Sequence, residues 1–494
     1  MSSAADVARL LGSPLLTGRR QGRCRTSKVA TVWHDTAGGI LRGRGLALAE
    51  QGGAWRLERL VPNGAGDWMP ASPAPVLAEA GTPGPLVAAH FDPVADPLVP
   101  VAAFTGTRRS YGLQFGDRAA RLDVLEGSLR GVAQEQAACR VQISGPVALN
   151  GADGLPKGLA GFAADLAADT GLTVPRAGLA ADAVAVAHGM PTQARHLGAP
   201  EVPPGVSVGE SLRLLTAHLA DVILYWAPIA PLGHAAEPVH QMRVAVRRLR
   251  AVLSAYKSVS AGDGLAGLEH ALQALANRLG DARDWDVFLH ATAGAVRKAF
   301  AGDLRIAGLV DAAARKRAAA YAALQAFIAS DDWRRLSVRL ALVPAMQAWV
   351  DPDDAEQAAL LAAPLEIHAA RTLERLHKKV RRAGADLASL APAEMHAVRK
   401  RAKKLRYAAE FFVPLFPPKK VKRFLDRLEE LQEALGAVND GHVAADLTAQ
   451  LGQGARRAFA AGAVQGYVAA SSGAAASKAA RRWEKYLRQD TFWD

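Results

Sequence analysis

From residue 207 to the end of the chain, apolar residues recur every three or four positions against a background of Ala, Leu, Arg and Glu. This is the signature of amphipathic helices, repeated many times. The pattern predicts helices at roughly 208–227, 238–257, 264–280, 284–299, 303–330, 332–349, 354–383, 392–413, 418–436, 440–451, 455–470 and 474–488, an all-α bundle. Residues 1–200 read differently. Short apolar runs (ATVWHDT, AWRLERLV, YGLQFG, ARLDVL, CRVQISG) alternate with glycine and proline turn signals, which predicts an antiparallel or barrel-like sheet. One helix is expected at 158–170, and the proline-rich segment 62–100 reads as a long loop. GAPEVPPGV (198–206) reads as a linker, because its proline pair discourages helix. The expected organisation is therefore α+β: a mainly-β domain over 1–200, a linker at 201–206 and an all-α domain over 207–494.

The helical part is a repeat. A shift of 156 positions, without a gap, lays His240 on His396, Arg243 on Arg399, Arg247-Arg248 on Lys403-Lys404 and Leu249-Arg250 on Leu405-Arg406. The register persists through Leu272/Leu428, Leu279-Gly280/Leu435-Gly436, Asp284/Asp440 and Val287/Val443. Two similar bundles follow, with halves at about 207–350 and 354–494. Duplication places the two motif helices equivalently, so a pseudo-twofold axis near them would bring them together.

Each motif helix, HQMRVAVRRLR (240–250) and HAVRKRAKKLR (396–406), has two faces. At about 100° per residue, His240, Arg243, Arg247 and Arg250 share one side, and Met242, Val246, Leu249 and Leu253 the other. In the second copy His396, Arg399, Lys403 and Arg406 cluster likewise, with Lys400 and Tyr407 beside them. Like charges at this spacing repel by a few tenths of a kcal/mol per pair. A single helix of this kind reads as a solvated surface, but its duplication in register points to an anionic ligand that relieves the repulsion. Arginine forks grip phosphate oxygens bidentately and lysines add point charge. The two histidines have no His or Cys at i+3 or i+4, so the spacing gives no metal site. They either donate to phosphate or bond locally at a helix start. Asp284 and Asp440 read as N-caps or arginine partners, and Gly280 and Gly436 as helix stops.

Charge follows the same division. The chain carries +13, with 41 Lys+Arg against 30 Asp+Glu from position 205 on, and 19 against 17 before it. The acidic partner therefore belongs to the helical part: nucleic acid, an anionic membrane surface or a phosphate polymer. Cys24 and Cys139, with no CxxC, fit a reducing compartment. No signal peptide is evident at the start. The most apolar run, 212–232, is interrupted by Arg213, His218 and Asp221. A soluble cytoplasmic protein without a membrane partner is expected.

HQMRVAVRRLR and HAVRKRAKKLRYAAEFF, each followed by its LG…D segment, resemble the CHAD domain, the conserved histidine α-helical domain. The resemblance covers about 205–494. It implies two four-helix bundles related by pseudo-twofold symmetry, a basic groove between them, binding of inorganic polyphosphate, and association with polyphosphate granules in some members. It nominates His240, Arg243, Arg247, Arg248, Arg250, His396, Arg399, Lys403, Lys404 and Arg406 as phosphate contacts; Lys400 and Tyr407 are added from helix geometry. Ala251 stands where the second copy has Tyr407, so the two sides should contribute unequally.

In bacteria this domain often follows a CYTH (triphosphate tunnel) domain, and residues 32–60, 120–129 and 139–145 resemble its strands. The functional residues depart from that pattern. The N-terminal ExExK motif is missing, Ala47 and Ala49 stand where paired arginines would bind triphosphate, and Gln142 and Ser144 stand where metal-binding glutamates would be. LAADAVAVAHG (179–189) lacks the expected SK-x-x-R. The resemblance implies a degenerate barrel without catalysis, metal or cofactor, whose protein partner the sequence does not identify. Two rival functions remain at this point. One is a Mg²⁺- or Mn²⁺-dependent triphosphatase or polyphosphatase. The other is a nucleic-acid binder, poorly provided with aromatics for base stacking.

Overall fold

In the computed structural model, described for residues 4–60, 77–78, 83–88, 92, 95–132, 134–144, 158–175, 177–189, 200, 202–260, 263–351, 353–451 and 455–493, strand and helix texture change where the hydrophobic pattern does. The chain runs α1 (Ala4–Gly12), α2 (Pro14–Thr17), β1 (Arg20–Thr36), α3 (Ile40–Gly43), β2 (Leu46–Gln51), β3 (Ala54–Arg59), β4 (Leu77–Ala78), α4 (Gly84–Val87), β5 (Leu98–Phe115), β6 (Arg118–Arg130), β7 (Glu135–Ser144), α5 (Leu159–Thr170) and α6 (Leu179–His188). It continues with α7 (Val208–Trp226), α8 (Glu237–Ala255), α9 (Asp263–Val287), α10 (Gly294–Ala299), α11 (Leu304–Ala329), α12 (Asp331–Met346), α13 (Ala355–Ala362), α14 (Leu365–Ala383), α15 (Pro392–Phe411), α16 (Pro418–Ala449) and α17 (Ala455–Leu487). Residues 62–76, 79–82, 89–91, 93 and 94 of the segment expected as a long loop, and 198, 199 and 201 of the expected linker, lie outside the described residues, and the described part of that segment holds β4, α4 and the start of β5. Two compact units emerge: Met1–His196 with Ala329–Ala348, and Leu197–Ile328 with Trp349–Asp494.

The first unit is a seven-stranded antiparallel sheet of order β4-β3-β2-β1-β5-β6-β7. Alternation along the long strands sends side chains to two opposite faces. On one, Trp33, Ala47, Ala49, Phe104, Leu125 and Leu129 pack with Ala180, Ala183, Val184 and Val186 of α6. On the other, Leu113, Phe115, Leu122 and Val124 pack with Leu10, Leu16, Phe162 and Leu166. Helix α12, which hydrophobic period alone assigns to the helical half, packs against α5 in this unit. Arg335 of α12 donates to Asp165 of α5 at 2.9 Å. The turn after β1 is held by Asp35, whose carboxylate accepts the N–H groups of Thr36, Leu41 and Arg42 at 2.8–2.9 Å.

The expected barrel is not formed: among the described residues the sheet does not close, and β4 and β7 are its edges. The physical reason is on the α6 side. A tunnel needs a hydrated polar interior, whereas here an alanine- and valine-rich helix fills the face. Ala47 and Ala49 are 3% and 0% exposed in that apolar cluster. Gln142 and Ser144 pair with Asp123 and Arg121, in register with Leu125 of the same face.

The second unit is eight principal helices in two sets of four: α7, α8, α9 and α11, then α14, α15, α16 and α17. Ser207 caps α7 by accepting the Glu210 N–H at 3.2 Å. The stretch Val208–Leu232 is long and apolar enough to cross a membrane, but 67% of its most apolar window is buried, as in a core helix. A π-helical turn, Phe288–Ala293, joins α9 to α10. Repeat-equivalent segments meet one another, as they do beside a twofold axis. Val208 N–H donates to Ala363 O at 3.0 Å in a bridge between the starts of α7 and α14. Tyr256 and its equivalent Phe412 meet as tilted rings, 6.4 Å between centroids. The distal halves share one core, in which Trp285, Phe288, Ile306 and Leu309 pack with Ala444, Leu447, Leu451, Ala460 and Val464.

Candidate functional site

Helices α8 and α15 pack against each other through this axis region. Their apolar faces are fully interior: Met242 and Val246 are 0% exposed, as are Val398, Ala402 and Leu405. Burial of that stripe anchors each helix, at about 1.5–3 kcal/mol per large side chain. It leaves the cationic stripes half-buried at the seam between repeats. There His240, Arg243 and Arg247 of α8 join Arg399 and Lys403 of α15 around a cavity of about 210 Å³. Helix α9 adds Arg283 and Asp284, and α16 adds Asp440.

The two arginines at corresponding positions are held in the same way. Arg243 Nη1 donates to Asp284 Oδ1 at 2.9 Å and to Gly280 O at 3.3 Å. Arg399 pairs with Asp440 at 3.9 Å and lies across Gly436. A Cβ at Gly436 would stand 3.5 Å from Arg399 Nη2, and one at Gly280 4.0 Å from Arg243 Nη1. A methyl group fits there, but a longer side chain meets the guanidinium. The expected helix stops at Gly280 and Gly436 are therefore corrected: α9 and α16 run straight through them. Each glycine is the flat spot on which an arginine lies, and each aspartate one turn on is that arginine's partner, not an N-cap.

The electrostatics follow from the crowding. Burial, and then Arg247, Arg399 and Arg243, push the Lys403 amine down to about 6, with Asp440 opposing. Burial and the guanidiniums of Arg283, Arg243 and Arg247 lower His240, so its neutral form is favoured, with Glu237 opposing. Arg247 and Arg399 are lowered by burial first and by neighbouring arginines after it. The cavity wall carries four arginines and Lys403 against only two carboxylates. That surplus suits a small, multiply charged anion and disfavours a metal ion. Among the described residues no cluster of three or more His, Cys, Asp or Glu could hold one.

The remaining nominated residues lie elsewhere. Arg248 donates to Glu410 at 2.9 Å, and Arg406 reaches Glu410 at 3.3 Å and Glu429 at 2.9 Å. Arg250 donates to Gln273, which occupies the position equivalent to Glu429. Lys404 is lowered by burial and by Lys379, Arg250 and Arg375, so it belongs to a second basic cluster with α14. Lys400 is exposed, and His396 is half-buried and does not line the cavity. Tyr407 is 5% exposed, with Arg247, Arg248 and Arg406 at 5.7–5.9 Å from its ring. It therefore supports guanidiniums from beneath. Sequence reasoning missed Arg283, which sits one residue before Asp284, and Glu410, the lone acid in a basic stretch.

The CHAD domain family model matches residues 213–449. The crystal structure of the CHAD domain from the plant Ricinus communis is similar at 27% identity and a TM-score of 0.51, covering 60% of this chain and 98% of that one. PptA from Streptomyces chartreusis aligns at 18% identity and a TM-score of 0.44, over 56% of this chain and 99% of its own. No curated protein matches.

Proposed function

The chain carries a CHAD domain over residues 213–449, and from that premise we propose that its helical unit binds inorganic polyphosphate without catalysis, at polyphosphate granules in the cytoplasm. One observation carries the reading. Two repeats deliver equivalent cationic side chains, Arg243 with Arg399 and Arg247 with Lys403, to one cavity at their seam. Phosphate oxygens satisfy such a set bidentately at the arginines and as point charges at the lysine. Of the nominated residues outside the cavity, exposed Lys400 and half-buried Lys404 add positive charge for a longer chain. A nucleic acid finds less here, because the aromatics at the cavity, Phe288 in its wall and Tyr407 beneath Arg247, are buried and offer no face for a base. The first unit serves as a scaffold or partner-binding module: its face at Ala47 and Ala49 is filled with apolar side chains.

The test is binding of defined-length polyphosphate to the full chain at several salt concentrations, with RNA at equal phosphate concentration as competitor. Arg247→Glu with Lys403→Glu abolishes binding while circular dichroism and thermal unfolding stay near those of the parent. Affinity of the parent falls steeply with salt, as for other phosphate backbones. Unchanged affinity in the folded double variant refutes the assignment, as does preferential release of polyphosphate by RNA.

A further inference from the structure

We propose that the seam cavity is a proton-linked anion site in which Lys403 takes up a proton as phosphate enters, so that affinity rises as pH falls through neutrality. The inference rests on the polyphosphate reading and adds the regulation of that site. It starts from geometry. Lys403 lines the cavity with Arg399 of its own helix, His240, Arg243 and Arg247 of α8, and Arg283 and Asp284 of α9. Asp440 of α16 completes the charged wall. Tyr407 and Arg406 follow Lys403 by one turn on α15.

Of these groups only the two aspartates are acidic, and each is already paired with an arginine, Asp284 with Arg243 and Asp440 with Arg399. Arginine does not give up its proton in this range. The group that can relieve the crowding is thus the half-buried lysine, whose amine is pushed to about 6. Its repeat equivalent is Arg247, so the seam sets one fixed charge opposite one adjustable charge. With Lys403 neutral, the wall carries a surplus of two positive charges, and protonation makes it three. An entering phosphate supplies negative charge against Lys403, favours its charged form and draws a proton from solvent. The deprotonated amine has a lone pair and two N–H donors; the protonated one has three donors and a full charge.

The linkage has a size. One proton bound with the anion, at a group titrating near 6, changes affinity about tenfold per pH unit above that value, or about fifty-fold between pH 6 and 8. His240, also lowered, steepens the profile toward its acid end. Long-chain polyphosphate is the probe, because its internal phosphates do not titrate in this range and its ends are few.

The experiment is isothermal titration of the full chain with long-chain polyphosphate at pH 6 and pH 8, in pairs of buffers of different ionisation enthalpy. The expected result is uptake of close to one proton per site at pH 8 and, from Lys403, about half that at pH 6, where His240 adds its own share. Lys403→Met should bind at pH 8 near the weak level of the parent and keep only the acid-end dependence that His240 supplies. Lys403→Arg should likewise keep only that acid-end dependence, with the strong low-pH affinity. Binding by the parent with no proton uptake, or with uptake unchanged in Lys403→Met, overturns the linkage and leaves the polyphosphate reading standing. Absence of binding at both pH values overturns both.

Discussion

If the cavity is built for an anion, its two carboxylates compete with that anion for Arg243 and Arg399. Replacing Asp284 by Asn tests this directly. Asp284 is 39% exposed and pairs with Arg243 at 2.9 Å, so the pair itself is worth only about 0.2–1 kcal/mol to the fold. Its cost to a ligand is of similar size. A carboxylate roughly 6 Å from an incoming phosphate opposes it by about 1 kcal/mol at the dielectric of a half-exposed site, less with salt. Asp284→Asn therefore tightens polyphosphate binding about three- to fivefold and lowers thermal stability only slightly. Asp440 is more exposed, at 57%, and stands 3.9 Å from its arginine. Asp440 also holds the Lys403 proton in place, so removing it frees Arg399 but makes Lys403 harder to charge. Asp440→Asn should then gain twofold or less near neutrality, and more at pH 6. The assay is a direct titration of each variant at fixed ionic strength. A tenfold loss of affinity in a folded Asp284→Asn protein refutes the argument, because it would mean that the aspartate's orientation of Arg243 outweighs its competition for it.

Two further outcomes follow from the helix seams and the buried histidine. Gly436→Ala should raise stability by up to about 1 kcal/mol through helix propensity and preserve binding, since a methyl group fits beneath Arg399; Gly436→Leu should displace that guanidinium and weaken polyphosphate binding, and equal affinity in both variants would dismiss the cradle. His368 stacks 4.7 Å from Tyr256, and burial, aided by Arg375 and Arg371, pushes it down to about 4. The folded state thus favours neutral His368, so stability is fully present above pH 6.5 and is lost as pH falls toward 4, by on the order of 2–3 kcal/mol. Urea unfolding across that window should show the slope, and His368→Phe should flatten it.

The parts of the site legible in the sequence are those that period and duplication control. Helical spacing separates the Met242, Val246 and Leu249 face from the Arg243 and Arg247 face, and burial follows that separation. The 156-residue register matches Arg243 with Arg399 and Asp284 with Asp440, and the structure pairs the arginine with the aspartate in each repeat. Gly280 and Gly436 misled because local propensity treats glycine as a terminator, while packing used it for the close approach of an arginine. The barrel expectation failed for a related reason. Strand order follows alternation and turn chemistry, but closure depends on what occupies the concave face, and the α6 alanines facing Trp33 and Phe104 declare themselves only in three dimensions. Segment 329–348 has the same texture as its neighbours, so no sequence signal separates it from the helices it leaves.

Duplication also explains why the nominated residues do not act as one uniform surface. A perfect twofold would give the seam two identical lips, and this chain has broken the symmetry at specific positions. Arg247 is matched by Lys403, a fixed charge by an adjustable one. Arg283 is matched in sequence by Asn439, and His240 lines the cavity while His396 does not. Glu410, whose equivalent is Ser254, draws Arg248 and Arg406 together over Tyr407, whose equivalent is Ala251. The first-repeat lip is therefore the richer in permanent charge. The second-repeat helix carries the titrating lysine and the bridge that ties the two repeats side by side. On the polyphosphate reading, a polymer with no direction of its own would meet a seam that has one, and that direction comes from the substitutions that separate the two copies.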